Sequence, residues 1–193
     1  IRYTYFDKSF IWRLREKVTH NFLKDNLALN IGRQGSVVGS MPWSLCLITS
    51  SMVDLNLYYR GGEQVFPLYV YHDDGTRTPN FKQSTLSRFT TNLQQAYEPK
   101  DVLDYTYAIL HSPHYRKRYE DYLKNDYPRV TLPKNDKQFH ELAKNGKQLR
   151  ELHLMTSPIL DDLTTTYDQP GGNIVQSVKY ESGKVWINST QCF

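Results

Sequence analysis

The chain has 193 residues, 13% of them aromatic, with 24 Lys and Arg against 20 Asp and Glu for a net charge of +4. That length buries a substantial core without staples, and Cys46 and Cys192 form neither a disulfide framework nor a metal-ligand pattern, which fits two buried free thiols in a reducing, cytoplasmic setting. No apolar run approaches the roughly 18 residues of a membrane span and the N-terminus has no signal-peptide layout, which excludes a membrane partner.

The elements follow in chain order. Residues 1–7 alternate as a strand, and residues 13–23 form an amphipathic helix with Leu14, Val18 and Phe22 on one face, closed at Asn26. Residues 27–31 are a short buried strand that delivers Gly32-Arg33-Gln34-Gly35 to its end. An Arg can bond guanine and a Gln adenine through two hydrogen bonds each, and flanking glycines permit close backbone approach, so Arg33 and Gln34 are candidate base readers; a polar turn is the plain alternative. Residues 43–49, 54–59 and 65–71 are further strands, with Pro67 marking an edge or a bulge. His72-Asp73-Asp74-Gly75 lacks the remaining ligands of a calcium loop and is expected to be a turn, with loop from 76 to 82. A short helix over 84–93 displays Arg88.

The stretch 101–130 is the most organised part of the chain. Val102, Leu103, Tyr105, Tyr107, Ile109 and Leu110 cover so much of one helix that burial is expected. Pro113 disfavours helix at Ser112 and suits the first position of a second helix that Ser112 caps. That second helix runs toward Tyr127-Pro128, packs Tyr115, Tyr119, Tyr122 and Leu123, and spreads Arg116, Lys117, Arg118 and Lys124 between them. Asn135 to Gln138 then open a third helix with Phe139, Leu142, Ala143, Gly146, Leu149 and Leu152 on its apolar side, exposing Lys144 and Lys147, with Arg150 a further candidate for exposure. Residues 173–180 and 184–188 pair as a hairpin about Glu181-Ser182-Gly183.

Charge is uneven: residues 1–33 hold seven Lys/Arg against three Asp/Glu, and residues 151–193 two against five. Clustered cations with abundant tyrosine fit a surface that meets phosphate. For chemistry there is little: His111 and His114 have a zinc-like spacing but no third ligand nearby and suit capping or packing, and no phosphate loop, nucleophile elbow or metalloprotease helix occurs. No catalytic or metal-binding residue is therefore assigned. Ile1 in place of Met, and a strand that ends just before Phe193, suggest a fragment of a longer polypeptide.

Tyr107-Ala108-Ile109-Leu110-His111-Ser112-Pro113, Tyr115-Arg116, Tyr127-Pro128-Arg129-Val130 and Leu149-Arg150-Glu151-Leu152-His153 make the chain resemble the C-terminal specificity domain of type ISP and related fused restriction-modification enzymes. Ile1-Arg2-Tyr3, Arg15-Glu16-Lys17-Val18, Val65-Phe66-Pro67-Leu68-Tyr69 and Val185-Trp186-Ile187-Asn188 extend the resemblance over most of the chain. It implies a target-recognition domain whose partner is duplex DNA, covalently linked to an adenine methyltransferase that binds S-adenosylmethionine, and in some members to helicase and nuclease parts. It implies no cofactor in this domain. The expected architecture is a single α+β domain over 1–193: a mixed, mostly antiparallel sheet, built from N- and C-terminal strands, packed on a three-helix segment at about 99–155. Lys82, Arg88, Arg116, Lys117 and Arg118 are candidate phosphate contacts, and Arg33 and Gln34 candidate base contacts. The alternative is a non-catalytic module that docks the parts of such an enzyme to one another.

Overall fold

The computed structural model describes residues 16–32, 41–53, 57–58, 63–91, 93–94, 97–162 and 169–192. They fall into two compact units, Ile1–Ser157 and Pro158–Phe193. Helices and antiparallel strand pairs together make an α+β fold.

In the first unit, α1 (Glu16–Thr19) runs into a 3-10 turn at His20–Phe22. The three-stranded sheet has the order β2-β1-β3, with β1 (Ala28–Gly32) antiparallel to both β2 (Cys46–Thr49) and β3 (Glu63–Pro67). Every residue of β1 is buried, as its apolar composition requires of a central strand. Pro67, which has no N–H to give, ends β3 on the sheet's edge. The strand expected over 65–71 breaks there: Leu68 donates its N–H to the Leu27 carbonyl (2.7 Å), and β4 (Tyr69–Tyr71) pairs instead with β5 (Arg77–Pro79), where loop was expected. The acidic loop between them is a turn. Asp74 accepts from the Thr76 N–H (2.8 Å) and hydroxyl (2.6 Å), and Gly75 takes a φ of 84°. Residues 57–58 form a turn rather than strand, and the rest of the strand expected over 54–59 lies outside the described residues, as do the strand at 1–7 and the start of the helix at 13–23.

Buried Asn21 and Asn26 serve the exposed end of this scaffold. Asn26 accepts from the Leu27 and Tyr69 amides and donates to the Tyr69 carbonyl (2.8 Å), while Asn21 accepts from the Tyr71 amide (2.8 Å). Two side chains thus supply the β4 backbone with partners that a further strand would otherwise give.

The helices begin with α2 (Gln83–Thr90) and α3 (Pro99–His111). Asp101 reaches back to accept the Glu98 N–H (2.8 Å), and Pro99 fills a position whose N–H would go unused. α3 is the central post. Leu103, Tyr107 and Leu110 face a core shared with Leu29, Ile31, Trp43, Cys46 and Ile48 of the sheet side, and Val102 and Tyr105 face a second core with Phe89 of α2 and Phe139 and Ala143 further on. Such two-sided burial follows from an apolar surface wrapping most of the helix.

Ser112 has extended backbone and its hydroxyl accepts the Tyr115 N–H (3.3 Å), so α4 (Pro113–Arg118) starts as its sequence dictates. The expected single helix to Tyr127 is corrected: Tyr119, at φ −110° and ψ 22°, leaves helical geometry and α5 (Glu120–Leu123) restarts after it. The break lets Tyr115, Tyr119 and Leu123 all turn to the core on the sheet side of α3. Asn135 caps α6 (Asp136–His153), accepting the Gln138 N–H (2.9 Å). α6 crosses α3 where Gly146 lies against the Asp104 backbone carbonyl, an approach that leaves no room for a Cβ.

The second unit opens with a 3-10 turn at Pro158–Asp161 and contains the hairpin of β6 (Lys179–Glu181) and β7 (Lys184–Trp186). Its two-residue turn, Ser182 at φ 54° and Gly183 at φ 80°, has the positive angles that match strand twist. The expectation that C-terminal strands join the main sheet is thereby corrected: β6 and β7 pair as a sheet of their own. Gln191 ties the base of the hairpin, accepting from the Asn173 N–H and Asn188 side chain and donating to the Gln169 carbonyl and Asn173 side chain. Among the described residues no helix is long and apolar enough to cross a membrane.

Candidate nucleic-acid interface

The cations expected to meet phosphate lie on two helices. Lys82 precedes α2 and Arg88 occupies its last turn, both exposed; Arg116, Lys117 and Arg118 close α4. No hydrogen bond or ion pair among the described residues engages the charged groups of Lys82, Arg88 or Lys117, and Arg118 only lies 5.9 Å from the Tyr119 ring centre. Two nearby surface cations are neutralised locally: Lys124 meets Glu120 at 2.9 Å and Arg129 meets Asp126 at 3.5 Å. Helical spacing of acid and base explains the Lys124 pair, and α4 contains no carboxylate that could do the same.

Arg116 differs from its neighbours. Its Nε donates to the Leu110 carbonyl (2.7 Å), an Nη approaches His111 Nδ1 at 3.2 Å, and the guanidinium sits 5.5 Å from the Trp43 ring centre. Trp43 is itself fixed, its indole N–H donating to the Gly32 carbonyl (3.1 Å). The α3–α4 joint leaves the Leu110 carbonyl open, and Arg116, half-buried, fills that vacancy. Arg33 and Gln34, the candidate base readers next to Gly32, lie outside the described residues.

Behind Arg116 is a cluster of titratable side chains. His111 packs at a tilt against Tyr107 (4.4 Å between ring centres) and lies edge-on to His153 (5.4 Å), whose Nδ1 is 2.6 Å from the Tyr107 hydroxyl. Burial, then Arg116 and His153, depress the His111 pKa to about 4 against a weak upward pull from the Cys46 backbone. Burial pushes the Cys46 thiol up to about 12 and raises Tyr107 as well. A protonated thiol beside a neutral imidazole is packing material rather than a nucleophile pair. Capping or packing was the sequence expectation for both histidines; His111 packs, whereas His114 is exposed. No cluster of three or more metal-ligating side chains occurs among the described residues.

Arg150, a candidate for exposure by sequence, is buried. Its Nε and an Nη bond the two oxygens of Asp104 at 2.7 and 3.0 Å, locking α6 to α3. Asp104 is the signal that sequence reading passed over: a carboxylate on the most buried side of an apolar helix demands a cation.

The profile of the family described as the Type ISP C-terminal specificity domain matches residues 1–193. The chain belongs to this family. Similar solved structures agree with the assignment. A cryo-electron-microscopy structure of a DrdV–DNA complex is 26% identical, with a TM-score of 0.58, over 72% of this specificity domain and 13% of the other chain. A nuclease-deletion mutant of the Type ISP restriction-modification enzyme LlaGI, in complex with a DNA substrate mimic, is 26% identical with a TM-score of 0.54 over 88% of this domain and 14% of that chain. The domain thus spans about a seventh of each. No curated protein sequence matches it.

Proposed function

We propose that this Type ISP specificity domain recognises duplex DNA sequence-specifically and positions it for an adenine methyltransferase carried on the same polypeptide, in the cytoplasm. The observation that carries the reading is the set of exposed cations at α2 and α4, Lys82, Arg88, Lys117 and Arg118, whose charged groups meet no carboxylate among the described residues. Such groups hold mobile counterions that phosphates can release. The DNA-bound state of both similar structures supports the same reading. Arg116 moves from phosphate contact to support, since its donors serve Leu110 and His111. Arg33 and Gln34 remain the candidates for base edges. Methyl transfer, and S-adenosylmethionine, would belong to the linked domain; no residue here is assigned to either.

Binding of the 193-residue chain to random and cognate duplexes across a salt series tests this. A steep salt dependence is expected, reduced by about one ion for Lys117→Ala and unchanged for Arg116→Lys, with Arg33→Ala weakening mainly the cognate site. A folded chain without duplex affinity at low salt overturns the proposal. A second reading, docking between parts of the enzyme, is favoured by the second unit, where Ile174, Val175, Val178 and Tyr180 are exposed.

A further inference from the structure

A cavity of about 300 Å³ opens between α2, α3 and the 130–132 loop. Phe89 and Val102, both buried, belong to the core beneath it; Phe81 lines its wall, and Thr85, Arg88 and Thr106 supply its polar groups. Its volume is at the lower end of small-molecule sites, which run from roughly 300 to 1,000 Å³. Three features define an occupant. The lining is largely apolar and aromatic, so it suits a flat, weakly hydrated ring better than a cluster of waters. The Arg88 guanidinium forms no ion pair or hydrogen bond among the described residues, and no carboxylate lines the cavity, so the lining favours an anion. Thr106 spends its hydroxyl proton on the Val102 carbonyl (2.8 Å), which leaves its oxygen able to accept from an amino group.

A ring with an amino-bearing edge, attached to an anion, is a nucleotide. We propose that this cavity receives one unstacked nucleotide of the bound DNA, its base against Phe81 and Phe89 and its phosphate at Arg88, with Lys82 at the other end of α2 adding attraction. The inference rests on the DNA-binding reading above and deepens it. Aromatic walls hold an unstacked base largely by stacking and the Thr106 oxygen asks only for an amino group, so the site clamps distorted DNA with little sequence discrimination. A duplex that already presents an unpaired base avoids the unstacking cost and binds more tightly than a paired one.

The test compares a duplex carrying one unpaired central adenine with its fully paired counterpart, each titrated with the 193-residue chain and with Thr85→Trp. Thr85 is exposed on α2, so the indole fills the cavity mouth without entering the core. The expected result is about tenfold tighter binding of the bulged duplex, the scale of one base stacked on an aromatic side chain. Thr85→Trp is expected to remove the preference and bring the two duplexes to parity. Equal affinities in the native chain, or a preference that survives Thr85→Trp, overturn the proposal, and salt-dependent binding of the paired duplex then leaves general DNA recognition standing. Failure to bind either duplex overturns both.

Discussion

The α3–α6 pair and the hairpin unit at 158–193 use opposite means to hold their shape. Between the helices, Tyr105, Tyr107 and Phe139 are fully buried and the polar exceptions, Asp104 and Arg150, answer each other. In the hairpin unit the arrangement is inverted: Gln191 is 1% exposed and bonded through both ends of its amide, while Val178 and Tyr180 are 72% and 74% exposed. Apolar burial scales with area, whereas a satisfied polar network fixes geometry and adds little net stability. The helix pair is therefore a frame that opens only globally, and the hairpin unit is a shaped element that opens at low cost.

The largest effect is expected at the ion pair, where the frame holds two buried charges. Arg150→Met leaves Asp104 charged and alone beside α6, at a cost of about 3–5 kcal/mol. Burial already raises the Asp104 pKa despite the two bonds from Arg150, so the pair itself has little net stability to lose. Adding Asp104→Leu is accordingly expected to restore most of the urea midpoint. A double variant as unstable as the single one would show that the pair, rather than apolar packing, carries the frame.

A smaller effect follows from His111, where the frame meets α4. Arg116, Tyr107, His153 and the Cys46 backbone surround it, and its folded pKa of about 4 lies below the ordinary 6.5. Above pH 6.5 the imidazole is neutral folded or unfolded and stability is complete. As pH falls from about 6.5 to 5 the unfolded chain takes up the proton first, and about 1–2 kcal/mol is lost after allowance for solvent screening. Urea midpoints at pH 7 and pH 5 check this, with His111→Gln expected to flatten the difference. An equal fall in the variant would assign the pH dependence to other groups.

Much of the frame was legible in the sequence because short-range chemistry dictates it. Pro113 after Ser112, Asn135 three residues before Gln138, and Gly183 between two alternating runs each specify a local geometry whatever surrounds them. What was missed depends on partners far apart in sequence. Arg150 has helical spacing compatible with an exposed face, and only the crossing at Gly146 turns it toward Asp104. Arg116 sits in a basic run as if solvated, yet the open Leu110 carbonyl and the Trp43 ring draw it inward while Lys117 and Arg118 stay out. The cavity was invisible for the same reason: Phe81, Phe89 and Val102 look alike as core residues until α2 is laid against α3.

The smallest effect separates the two regions most cleanly. Gly183 has φ 80° and nothing within 4 Å of where a Cβ would stand, so Gly183→Ala adds backbone strain and no clash. An L-residue in that left-handed conformation costs about 1 kcal/mol, set against a two-stranded ribbon that is marginal alone. Amide exchange is expected to quicken at the hydrogen-bonded positions of β6 and β7, with α3 and α6 unchanged. If exchange in α3 and α6 rises with it, the hairpin unit and the helical frame open as one, and the contrast between them is only one of composition.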